Sequence, residues 1–328
     1  ICTRAVVQDV TINESINVTN KITLNLNGKN ITANFDDSYG AIYVKKGAEL
    51  TITGEGDITS EGRAIGTYGT VNIEGGNITT TGSDDAALYV FYYQDDYEGI
   101  ANISGGSLNT VWNCGTLNVS GGKIDYLDTS SELNVTDGVI IKMYARDGRD
   151  ASGVYEMYIE NIETTVPAVE VPEDYKFVEI SENVYQVVEK VYVAQVGDKK
   201  FESFDEALAA ASATDEIVIL KTIVLSETKT INFENIAVTS TVNPAFRITN
   251  GATVTVENGN MDTEGVAYNF ILGASDGSSA GNLTIKSGKY HASTTVASVT
   301  KGNLVIEGGE FSATPYNGSY AFLINCID

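Results

Sequence analysis

The stretch Val71-Asn-Ile-Glu-Gly-Gly-Asn-Ile78 decides the fold. Apolar and polar residues alternate ahead of the glycines, which places Val71 and Ile73 on one face of a strand. The Gly-Gly pair supplies the positive φ of a tight bend, and Ile78 then re-enters the core. The phrase returns as Ala101-Asn-Ile-Ser-Gly-Gly-Ser-Leu108, Leu117-Asn-Val-Ser-Gly-Gly-Lys-Ile124 and Leu133-Asn-Val-Thr-Asp-Gly-Val-Ile140. It returns again as Val254-Thr-Val-Glu-Asn-Gly-Asn-Met261, Leu283-Thr-Ile-Lys-Ser-Gly-Lys-Tyr290 and Leu304-Val-Ile-Glu-Gly-Gly-Glu-Phe311, with a longer form at Leu50-Thr-Ile-Thr-Gly-Glu-Gly-Asp-Ile58. One such unit cannot bury its apolar face, so copies must stack, pairing backbone to backbone at about 4.8 Å per layer around a shared core. The expected fold is all-β, a right-handed parallel β-helix (β-solenoid). Its structural turn glycines are Gly76, Gly106, Gly122, Gly138, Gly259, Gly288 and Gly309. Their uneven spacing suits coils that bulge by different amounts and disfavours a propeller with uniform blades, while a β-sandwich of many hairpins remains the alternative.

Composition agrees with strands joined by tight turns: the 328 residues include 32 Gly, 18 Tyr and only 4 Pro. A formal net charge of −24 repels phosphate backbones and anionic bilayers, which argues against nucleic-acid binding. Apolar residues make up 42% of the chain, yet no run approaches the roughly 18 that a membrane span requires. Cys2, Cys114 and Cys326 lie too far apart in sequence for a zinc ribbon or a dense disulfide framework; whether two of them pair is left open. The single histidine, His291, removes every mechanism that needs two imidazoles in one chain.

A longer duplication lies over the short one. Ala41-Ile-Tyr-Val-Lys-Lys-Gly-Ala-Glu-Leu-Thr-Ile52 aligns without a gap to Ala245-Phe-Arg-Ile-Thr-Asn-Gly-Ala-Thr-Val-Thr-Val256. Alternating segments precede each block, from Val10 to Ile31 and from Ile217 to Val238, and read as opening coils. The expected organisation is a first β-helix module over 1–153, a connector with a small hairpin over 154–200, and a capping helix with a second module over 201–328. Pro167 and Pro172 interrupt pairing in the connector, where Tyr175-Lys-Phe-Val178 and Val184-Tyr-Gln-Val-Val188 form the hairpin. Phe201 to Ser212 is the one convincing helix, with Ser203 and Glu206 as a capping box and Phe204, Ala207, Leu208 and Ala211 along one face. Laid over a solenoid end, it would shield an open sheet edge. A first residue of Ile, with no leader visible, reads as a trimmed piece of a longer chain whose second module is cut short.

Parallel β-helices host polysaccharide lyases and hydrolases, so chemistry is considered residue by residue. Asp84, Asp85, Asp95 and Asp96 flank the strand-like run Ala86 to Tyr93 and could hold Ca²⁺ or act as acid and base; solvated turn acids are the plainer reading in a chain with 44 of them. Arg146 and Arg149 sit in the turn-like Ala145-Arg-Asp-Gly-Arg-Asp150, and His291 reads as a surface residue beside Lys289 and Tyr290. No triad can be assembled. Exposed rings are the better binding candidates, because sugar rings stack on flat π faces: Tyr89, Phe91, Tyr92, Tyr93 and Tyr97 cluster in one irregular turn, with Trp112 between two coils. Their alternative role is to plug a wide core or cover a subunit interface.

The phrases Leu304-Val-Ile-Glu-Gly-Gly-Glu-Phe311 and Val193-Ala-Gln-Val-Gly-Asp-Lys-Lys-Phe-Glu-Ser-Phe-Asp-Glu-Ala-Leu208, with Tyr175-Lys-Phe-Val178 before them, resemble the tandem pectate-lyase-like β-helix modules of gut-bacterial cell-surface proteins and of fibres from tailed phages infecting such bacteria. The resemblance covers nearly the whole chain and carries no catalytic residue or cofactor with it; polygalacturonase-like hydrolases add Asn-Thr-Asp and Gly-His-Gly motifs that are missing here. It implies an extracellular, non-enzymatic, adhesive rod, first a phage virion fibre or decoration protein and second a bacterial surface adhesin, with a carbohydrate-cleaving enzyme as the further alternative. The implied partners are host or bacterial surface glycans, other virion or surface proteins, and further copies of the chain, as a trimer by resemblance alone.

Overall fold

The structure is a computed structural model that describes residues 2–93, 98–146, 156–263, 265, 267–315 and 321–326. The chain divides into two compact units, 1–190 and 191–328. Both are built almost wholly from short strands in long parallel ladders.

In the first unit the glycine phrases contribute a strand segment before the bend, one after it and one that returns toward the next phrase; the last two segments are continuous in Ser107–Asn113, and all three in Thr116–Thr129 and Leu133–Ala145. The pre-turn ladder runs through Cys2–Ala5, Lys21–Asn25, Glu49–Thr53, Thr70–Ile73 and Ile100–Ile103, then through the opening halves of Thr116–Thr129 and Leu133–Ala145 to Met157–Ile159. The post-turn ladder begins with Val10–Ile12, Ile31–Ala33, Asp57–Ser60 and Asn77–Thr80 and joins Ser107–Asn113. The return ladder joins Ile16–Val18, Ile42–Val44, Ile65–Thr67 and Leu88–Val90 to Val111, Leu127, Met143 and finally Val169–Glu170. Ladder register places like on like: Leu50, Val71, Ala101, Leu117, Leu133 and Met157 follow one another rung by rung, all buried. Period-2 alternation is therefore satisfied by an apolar column inside and a polar column outside.

The second unit repeats the scheme. Its post-turn ladder is Glu216–Ile219, Ala237–Ser240, Gly259–Thr263, Gly288–Ala292 and Glu310–Ala313, and its return ladder leads from Ile223–Leu225 through Phe246–Ile248 to Phe322–Cys326. Rings follow its interior: Phe246 stacks on Phe270 at 5.5 Å, and Tyr290 on Phe311 at 5.3 Å.

Close packing between layers explains the glycines. A Cβ on Gly106 would lie 2.5 Å from the Gly76 carbonyl oxygen, and one on Gly138 2.9 Å from the Gly121 carbonyl. Gly76, Gly106, Gly122, Gly138, Gly288 and Gly309 carry the expected positive φ. Gly259 differs: Asn258 takes the left-handed conformation (φ 51°), and Gly259 makes room for the Tyr290 hydroxyl, which a Cβ would meet at 2.2 Å. Asn reaches αL more readily than other side chains, so an Asn-Gly bend can shift the turn by one residue.

Residues 156–190, expected as a connector, contribute Met157, Ile159, Val166, Tyr185 and Val187 to the first core. The hairpin forms between Tyr175–Ser181 and Val184–Glu189, and its second strand pairs antiparallel with Met157–Ile159. The helix spans Phe204–Ala210; the Ser203 hydroxyl accepts from the Glu206 amide at 3.2 Å, and Phe204 packs edge-on against Phe246 at 5.0 Å. Beside it Ala194–Val196 pairs antiparallel with both Lys199–Phe201 and Glu216–Ile219, a hairpin that the sequence did not announce.

Candidate functional site

Outward positions of the first unit's return ladder form one column: Asn17, Tyr43, Gly66, Tyr89, Trp112, Asp128, Tyr144 and Glu170 are successive register partners. Alternation sends their neighbours inward, so this column faces solvent because Ile42, Ile65, Leu88 and Val111 face the core. Gly66 leaves a vacancy in the row. The Phe91 ring occupies it: a Cβ at Gly66 would lie 2.6 Å from Phe91 Cε2 and 1.9 Å from the Tyr39 carbonyl oxygen.

Around that point the rings close into one surface. Phe91, only 8% exposed, stacks on Tyr68 at 4.8 Å and lies tilted against Tyr89 at 4.3 Å. Tyr39 tilts over Tyr43 at 4.8 Å, and Trp112 meets Tyr89 edge-on at 5.6 Å. The Arg63 guanidinium lies 4.3 Å from the Tyr89 ring centre, 5.2 Å from Phe91 and 5.9 Å from Trp112, and it donates to the Ser38 carbonyl. Such cation–π contacts tie rings of neighbouring coils to one guanidinium. Beside Tyr39 and Tyr43 a hollow of about 450 Å³ is lined by Ser15, Asn17, Asp37 and Lys45.

Electrostatics follow from this burial. Desolvation lowers the Arg63 pKa, opposed by Tyr89, Asp85, Asp36 and Asp37. Burial first, and Cys114 second, pushes the Tyr89 phenol up to about 12, so it stays protonated through the physiological range. Desolvation and then the Asp36 charge raise the Asp85 carboxyl, while Arg63 pulls it back down.

Of the ring residues expected from the sequence, the structure brings Tyr89, Phe91 and Trp112 together; Tyr92 is half-buried beside an isolated bridge to Glu98, and Tyr93 is 60% exposed. Tyr97, Asp95 and Asp96 lie outside the described residues. Asp84 is exposed and Asp85 half-buried, and among the described residues no three His, Cys, Asp or Glu groups converge as metal ligands would. Cys2, Cys114 and Cys326 form no disulfide with one another. His291 shares an outward row with Asp262 and Ser312; its Nδ1 lies 2.8 Å from the Ser312 hydroxyl and its Nε2 3.4 Å from that of Thr314. Sequence reasoning missed Tyr39, Tyr43, Tyr68 and Arg63. Tyr43 was within reach, since it occupies the same outward phase after Ile42 that Tyr89 occupies after Leu88.

No protein family matches the chain, and neither a curated protein nor a solved structure matches it.

Proposed function

We propose that the chain is a non-catalytic, structural and adhesive β-solenoid, each unit a right-handed parallel β-helix, which grips surface glycans through the ring surface around Arg63. The observation that carries this reading is the column of rings itself. Six aromatic side chains and a guanidinium come from four successive coils, on a scaffold whose backbone groups are bound into ladders. Sugar C–H faces stack on such rings, and repetition along a stiff support turns weak contacts into avidity. The setting follows from the resemblance: a virion fibre or decoration protein that meets a bacterial host, with a bacterial surface adhesin as the second setting. The acidic surface keeps such particles dispersed.

Binding of the purified protein to host-cell glycans on an array tests the proposal, run beside Trp112→Ala and Tyr43→Ala. The expected result is retention that both substitutions weaken, with no new reducing ends or unsaturated products after prolonged incubation. Product formation would replace adhesion with catalysis. Retention is expected to be unchanged by a calcium chelator, because the ring surface needs no ion; loss on chelation would bring Asp84 and Asp85 back as ligands.

A further inference from the structure

The outward face of the first unit's pre-turn ladder carries an asparagine column. Asn118 Nδ2 donates to Asn102 Oδ1 at 2.9 Å, and Asn102 Nδ2 donates to Asn72 Oδ1 at 2.8 Å. Asn72 Nδ2 closes the chain on Thr51 Oγ1 at 3.2 Å and Glu49 Oε1 at 3.1 Å. Every amide thus donates to the rung before it. Asn134 is the next rung, in register with Asn118, and there the chain of bonds stops: its exposed amide makes no hydrogen bond among the described residues.

The interruption coincides with a groove of about 800 Å³. It is lined by Asn118, Asn134 and Tyr158, which are successive register partners, by Glu132 and Glu156, which each precede that row by two residues, and by Val184, whose backbone pairs with Tyr158. The Glu132 carboxylate accepts from Thr116 Oγ1 at 3.1 Å through one oxygen and keeps lone pairs free on the other. Among the described residues no Lys or Arg lines the groove.

We infer that this groove is a second binding site, separate from the ring surface on the return ladder, and that it takes an uncharged oligosaccharide. Amides that donate and accept, carboxylates that only accept, and one ring together match a ligand rich in hydroxyl donors with an apolar face. Two carboxylates with no lining cation reject uronates and sulfated sugars. An extended peptide fits less well, since it would add to a free strand edge, and the backbone of Asn118 and Asn134 is already paired on both sides. The rung spacing of about 4.8 Å also repeats at nearly the rise of one pyranose along an extended chain.

The test is calorimetric titration of the full chain carrying Trp112→Ala, which weakens the ring surface so that the groove is read against a reduced background. Its ligands are neutral gluco-, galacto- and mannohexaose and a hexagalacturonate of equal length. At least one neutral hexaose is expected to bind with little salt dependence, and the uronate not at all. Adding Asn134→Ala, or in a separate protein Glu132→Gln, is expected to weaken binding by about tenfold with the thermal midpoint unchanged. Failure of every neutral hexaose, equal binding of the uronate, indifference to both substitutions, or capture of an extended peptide at these residues would each overturn the assignment. Because the parent protein lacks Trp112, such a failure leaves the ring-surface reading standing, and failure of that reading leaves this one standing.

Discussion

Gly66 makes the outward column of rings continuous, because its missing side chain is the space that Phe91 fills. Gly66→Ala is expected to cost about 1–3 kcal/mol by overpacking against the Tyr39 carbonyl and Phe91, read as a lower denaturation midpoint of the first unit. A fall in glycan retention should accompany it. Tyr89 offers a pH signature. Its folded pKa of about 12 lies above the unfolded value of 10.0, so its contribution to stability is complete below the unfolded value and disappears as pH rises through the folded one. Between those two values the denaturant midpoint of the native protein should fall more steeply than that of Tyr89→Phe; parallel slopes would show that the phenol is not buried as described. At this scale the sequence was legible where alternation alone decides direction, as for Tyr89 and Trp112. It was opaque for Arg63, Tyr39 and Tyr68, which meet their partners only once coils of unequal length have been stacked.

At the scale of the element, the glycine phrase is a strand, a bend and a second strand, and this was readable because its period-2 pattern and its turn chemistry agree. Val71-Asn-Ile-Glu-Gly-Gly-Asn-Ile78 forms Thr70–Ile73 and Asn77–Thr80 with Gly76 at φ 80° between them. At Asn258-Gly259 the left-handed residue sits one position earlier than the glycine pattern predicts, because Asn and Gly both tolerate αL, and Gly259 instead leaves room for Tyr290 from the next coil. The helix Phe204–Ala210 was announced by its cap. Ser203→Ala removes the acceptor for the Glu206 amide and is expected to cost about 1 kcal/mol, seen in the thermal unfolding of the second unit and absent from that of the first. The hairpin of Ala194–Val196 and Lys199–Phe201 went unread, since Lys199 and Lys200 obscure its apolar alternation and its partner is a distant strand, Glu216–Ile219.

For the molecule as a whole, each unit carries three parallel ladders, and the stretches Ala41–Ile52 and Ala245–Val256, which align without a gap, each supply strands to two of them. The return strand and the pre-turn strand occupy the same places in each unit. What the sequence could not display is which outward column becomes a surface with a task, since outward residues are free of the packing that makes inward ones periodic. That question can be put directly to the protein, because Trp112 is its single tryptophan and stands within the ring surface. Titration of the intact chain with host-cell glycans, followed by tryptophan emission, is predicted to give a saturable change that Arg63→Ala abolishes or weakens severalfold while Asn134→Ala leaves it in place. Emission that stays constant while glycans bind, or that changes equally without Arg63, would contradict adhesion through this surface.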